Sequence, residues 1–270
     1  MEQFPSPGVS ALDCERVELR YIAPSQPGFA RNYLTDRLDP PDPKEGRPAP
    51  KVTLYAQPTT EGSPLDLVRL AEWLEPNARR YEPNKEESFV PPTTRRGIVD
   101  GVLALEDYAG EGRFRRFIAL RRTGTIEYGA YCTWSVTSAG GSVWVISLKT
   151  LVLQVAHFLA LLEDLGATFE TGRSWKIWCN ARCIADAFLA GFGTGRAEPF
   201  QGFFLRTPSF ALEDRFQLSF TYGNDPDSRG LAIGDFARRF DFAFGSLQDR
   251  ARDRTGDKAG AINFAGVTYQ

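Results

Sequence analysis

A single histidine, His157, and a single methionine stand in this chain of 270 residues. Neither a Ser-His-Asp set nor a histidine-rich metal centre is expected around His157 without an unusual substitute. Lysine is scarce too. It occurs at 44, 51, 85, 149, 176 and 258, so 32 cations minus these six leave 26 arginines. A GC-rich genome accounts for that bias by composition alone, and bidentate recognition of phosphate or carboxylate is the functional alternative. The four cysteines, at 14, 132, 179 and 183, are scattered and form no disulfide framework. The opening MEQFPSPGVS has an early acid, two prolines and no apolar run, so no secretory signal is expected there. A reduced, cytoplasmic setting is the simple reading.

What is present is enough for a folded core: 42% of residues are hydrophobic and 13% aromatic, which excludes disorder of the whole chain. The formal net charge of −2 provides no global field toward nucleic acid or an anionic membrane, so any such contact needs a local patch. Residues 143–162 are apolar over the length of a membrane span. They include Lys149, Gln154 and His157, which fall with Thr150 and Asp164 in one stripe at helical spacing. That pattern predicts a core helix with one wet edge rather than a span.

Nine prolines between Pro24 and Pro64 mark a loop or extended arm, after a short strand at 16–23 and interrupted by one at 52–56. Leu67, Leu70, Ala71 and Leu74 predict a helix over 66–74, closed by Pro76. A small N-terminal unit, 1–90, is expected to end at Pro91-Pro92, followed by a main domain over 91–255. The tail, 256–270, is expected to be flexible or to dock on a partner. In the main domain, strands are predicted at 97–105, 113–122 and 125–131, the last two joined by a two-residue turn at Thr123-Gly124. A turn at 139–141 leads to a strand at 143–146. There follows the apolar helix, capped by Ser147 and stopped by Gly166. Further strands are predicted at 174–179, 200–206 and 215–222. A last helix is expected to be capped by Asp235, with Phe236, Phe240, Ala243, Leu247 and Ala251 along one face. Runs of strands between two long helices predict an α+β fold, a mostly antiparallel sheet covered on one side by helices.

The glycine clusters at 110–112, 140–141 and 191–195 read as turns, since none has the strand-to-helix context or spacing of a phosphate loop. Cys179 and Cys183 have a metal-ligand spacing but lack two further ligands, so they read as small buried residues. No metal site and no cofactor is expected. His157 lacks a carboxylate in register to orient it as a base. Carboxylates such as Glu106, Asp107 and Glu127 keep an enzymatic reading open, but spacing alone pairs none of them.

The strongest positive signal is arginine: Arg95, Arg96, Arg113, Arg115, Arg116, Arg121 and Arg122 lie within 28 residues, against Asp100, Glu106, Asp107 and Glu111. By the period-two rule Arg113, Arg115 and Arg121 project from one strand face with Phe117 between them. Such a face holds phosphates and stacks bases. It serves equally as a solvated, aggregation-resistant sheet surface.

Across these residues, Arg95-Arg96-Gly97, Asp100-Gly101-Val102, the strand at 117–122, Thr123-Gly124, Ile126-Glu127 and the helix ending Leu161-Leu162-Glu163-Asp164-Leu165-Gly166, the chain resembles the C-terminal half of bacterial Schlafen-like, AlbA-type nucleic-acid- or ATP-binding proteins. The resemblance covers residues 93–190. The AlbA part, with its glutamate-bearing strand and glycine-rich loop, is absent. The resemblance therefore implies an accessory or sensing module, in a family linked to nucleic acid and to antiviral defence. The resulting expectation is a non-catalytic module acting with a partner protein, with direct nucleic-acid binding through Arg95, Arg96, Arg113, Arg115, Phe117 and Arg121 as the alternative. No membrane partner is expected, and the sequence does not give the oligomeric state.

Overall fold

The computed structural model describes residues 49–60, 62–80, 94–98, 100–107, 114–131, 133–138, 141–172, 174–185, 187–190, 211–223 and 226–245. In chain order their elements are β1 (Lys51–Pro58), α1 (Leu67–Arg80), β2 (Thr94–Ile98), β3 (Gly101–Asp107), β4 (Phe114–Arg121), β5 (Ile126–Tyr131), β6 (Thr133–Ser138) and β7 (Gly141–Ser147). They continue with α2 (Leu148–Phe169), β8 (Ser174–Arg182), β9 (Phe188–Ala190), β10 (Arg215–Gly223) and α3 (Pro226–Ala243). Seven strands form one sheet in the order β10-β8-β1-β5-β4-β3-β2, and β6-β7-β9 form a smaller one. Every neighbouring pair in the large sheet is antiparallel, while β7 and β9 run parallel. This is the expected α+β architecture with a mostly antiparallel sheet.

Alternation along the strands decides which face the helices cover. Val52, Leu54 and Ala56 of β1 share one buried cluster with Ile126, Tyr128 and Ala130 of β5 and with Trp175, Ile177, Cys179 and Ala181 of β8. Leu151, Val155, Phe158 and Leu162 of α2 belong to the same cluster, as do Phe236, Phe240 and Phe244 in and after α3. The predicted face of α2 is thus the one that packs, and Ser147 caps it by accepting a hydrogen bond from the Thr150 amide at 3.2 Å. Among the described residues, Thr150–Phe169 is long and apolar enough to cross a membrane, and its most apolar stretch is 67% buried, as in a core helix.

Several boundaries differ from the sequence reading. The single strand expected at 97–105 is two, because the chain reverses between Ile98 and Gly101 with Asp100 at φ 54°. The loop between β4 and β5 has three residues, with Arg121 and Thr125 joined by a backbone bond of 2.9 Å and Gly124 at φ 80°. That is the bulged alternative to a two-residue turn. Helix α2 runs through Gly166 and ends at Glu170, φ 54°. The longer helix brings Phe169 edge-on to Trp73, with centroids 5.9 Å apart, and this packing outweighs the glycine's low propensity. α1 likewise continues past Pro76 to Arg80. α3 begins at Pro226, where proline suits a first helical turn, and Asp235 lies mid-helix against Arg239 at 3.0 Å instead of capping it.

The expected division near residue 90 does not separate β1, because β1 lies inside the large sheet between β8 and β5. Leu70 and Leu74 of α1 belong to that same core. The strands expected at 16–23 and 200–206, the glycines at 191–195, Leu247, Ala251 and the tail lie outside the described residues.

Candidate functional site

Cross-strand register separates the charges of the large sheet. On the helix-covered face, Arg116 donates to Glu106 at 2.8 Å, both half-buried, and forms a closed ion pair. The other face, called the open face below for its exposed β10–β8–β1 end, is buried over β3, β4 and β5 at Leu103, Leu105, Phe117, Ala119 and Glu127. It carries Lys51 on β1, Lys176 and Arg182 on β8, Arg215 on β10 and Arg121 on β4, each at an alternate position. Arg96 on β2 occupies a strand position of that face as well, since it pairs with Leu103. The register shift that sets Glu106 against Arg116 and Asp107 against Phe114 leaves Arg115 without a cross-strand partner, so the alternation expected for it is broken there.

Three of these cations are direct neighbours. Arg215 pairs with Arg182, and Arg182 with Lys51, so one row across β10, β8 and β1 is wholly cationic before it reaches Tyr131 of β5. Arg215 is exposed and the other two are half-buried. Register thus concentrates three positive charges at one end of the sheet. No local sequence pattern announces it: positions 51, 182 and 215 meet only through the pairing of three distant strands.

The arginine cluster read from the sequence is dispersed by comparison. Arg116 is held by Glu106, and Arg122 donates to the Leu65 carbonyl at 3.3 Å. Arg95 lies on the opposite face of β2 from Arg96, because it pairs with Ala104. Arg113 lies outside the described residues. Phe117 does share a face with Arg121, but it is only 1% exposed, packed with Leu103, Leu105 and Ala119 in a second buried cluster. Its ring belongs to the core and is not open to a nucleobase.

Beside the cationic row lies a second polar group on the same face. Ser219, Trp178, Tyr55, Glu127, Ala119 and Leu103 succeed one another across β10, β8, β1, β5, β4 and β3. Tyr55 and Trp178 touch with ring centroids 5.3 Å apart, and Lys176 lies over the Trp178 ring at 5.2 Å. The Tyr55 hydroxyl is buried near Thr125, and burial pushes its acidity well below that of an ordinary phenol, against the opposing effect of the Thr125 side chain. Burial also pushes the Glu127 carboxyl up to about 7, against the opposing pull of Arg121. Glu106 and Glu127 lie on opposite faces of the sheet, so they do not form an acid/base pair.

Elsewhere, His157 on α2 is half-buried, and burial lowers it to about 4, which keeps it neutral at ordinary pH. Cys179 is buried among apolar side chains and its thiol is pushed up by that burial, while Cys183 lies past the end of β8 at φ 58°. Among the described residues no three His, Cys, Asp or Glu side chains gather as a metal site. Glu163 of α2 accepts from Tyr222 and from both Arg229 Nε, at 2.9 Å, and Arg229 Nη2. This clamp ties α2, β10 and α3 together. The chain matches no family model, no curated protein and no solved structure.

Proposed function

We propose that the protein is a non-catalytic interaction module that receives an acidic partner protein on the open face of its seven-stranded sheet. The observation that carries this reading is the cationic row Arg215–Arg182–Lys51. Three like charges gathered from distant strands form a local positive patch on a chain whose net charge is −2, which is complementary to an acidic surface. Lys176, Arg121 and the strand position of Arg96 add the same sign on that side of the sheet.

Nucleic acid is the second reading, favoured by the same positive patch and by the resemblance over 93–190. The burial of Phe117 removes one stacking surface from it.

Replacing Arg215 and Arg182 together by Gln tests the reading. The doubly substituted protein should stay folded, since both positions lie outside the buried core. It should also lose most of its retention on an immobilised acidic peptide, with a shallower salt dependence. Loss of single-stranded oligonucleotide binding, with no effect on the acidic peptide, would select nucleic acid. A variant that is destabilised and still binds would show that the row serves the fold.

A further inference from the structure

We infer that the protein forms a two-fold dimer by pairing the outer edge of β10 antiparallel with β10 of a second copy. Among the described residues the large sheet ends in β2 on one side and β10 on the other. β2 has five residues and carries Arg95-Arg96, the kind of charge that discourages an edge from pairing. β10 has nine, and from Phe216 to Gly223 it carries no charge. Among the described residues no strand pairs with its outer side.

The sequence of β10 is self-complementary about its midpoint. A two-fold axis at Ser219 sets Phe216 opposite Tyr222, Leu218 opposite Phe220 and Gln217 opposite Thr221. Apolar residues then meet on the helix side, where Phe216 already packs on Phe240 with centroids 5.0 Å apart. Polar residues meet on the open face, and the two Arg215 side chains fall at opposite ends, each against Gly223. A second observation marks the same region. Five large apolar side chains are exposed among the described residues, and three of them, Leu212, Leu231 and Phe242, flank β10 or lie on α3. Leu231 and Phe242 are eleven residues apart, within about 20° of one another around the helix, so they share its outward side. This proposal concerns assembly and does not depend on what the open face binds.

The experiment is light scattering of the full chain during size exclusion, across a dilution series, for the parent and for Ser219→Lys and Ser219→Glu. Ser219 is exposed and opposes its own copy, so either substitution places like charges about 5 Å apart at the axis. The parent should run at twice the chain mass, each single variant as a monomer, and the equimolar mixture of the two variants again as a dimer. A merely misfolded variant would not be rescued by its opposite. A monomeric parent, a Ser219→Lys dimer, or a mixture that stays monomeric would each overturn the inference.

Discussion

Gly101 shows why a turn can be hidden in an unbroken apolar stretch. A Cβ there would stand 2.3 Å from the Leu120 carbonyl oxygen, so the first residue of β3 lies this close to β4 only because it has no side chain. The Asp100-Gly101 signal was present in the sequence, but Ile98 and Val102-Leu103 on either side read as one strand. Gly101→Ala is expected to cost about 1–3 kcal/mol by overpacking, measured by denaturant unfolding. Tyr55 should tolerate change better. Its hydroxyl is buried and makes at most one contact, with Thr125, so Tyr55→Phe removes a desolvated polar group and should change stability by no more than about 1 kcal/mol. A larger loss of stability in that variant would mean that the hydroxyl is more fully paired in solution.

At the scale of elements, α2 was the most legible part of the chain. Leu151, Val155, Phe158 and Leu162 recur at helical spacing and all are buried, and Ser147 supplies the cap where the polar pattern placed it. Phe158→Ala should therefore cost about 3–5 kcal/mol in chemical denaturation, and a shift of only a degree or two in melting would place this helix outside the core. The ends of the helices were less legible, because tertiary contacts decide them. Phe169 reaches Trp73 only if the helix ignores Gly166, and Arg229 reaches Glu163 only if α3 starts well before Asp235. The candidate site was the least legible of all. Arginines clustered in sequence were sent to two faces and several partners, whereas the row of Lys51, Arg182 and Arg215 exists only after β1, β8 and β10 pair in register.

For the molecule as a whole, two buried groups on opposite sides of the sheet give stability opposing dependences on pH. Glu127 rises from 4.5 to about 7 on folding, so between these values the folded state keeps a proton that the unfolded chain has released, and stability falls as pH rises. His157 falls from 6.5 to about 4, so over that interval the unfolded chain holds a proton that the folded state lacks, and stability rises with pH. Each full proton difference is worth about 1.4 kcal/mol per pH unit, and between about pH 5 and about pH 6 the two nearly cancel. Glu127→Gln should expose the histidine's contribution, so its melting temperature relative to the parent climbs from about pH 5 to about pH 6. His157→Gln should show the reverse trend, and the double variant should run parallel to the parent, because both proton differences are gone. Subtracting the parent's curve removes the titrations that all four proteins share. If both single variants stay parallel to the parent across this interval, neither group is buried as described, and the polar cluster around Tyr55 and Glu127 is open to water.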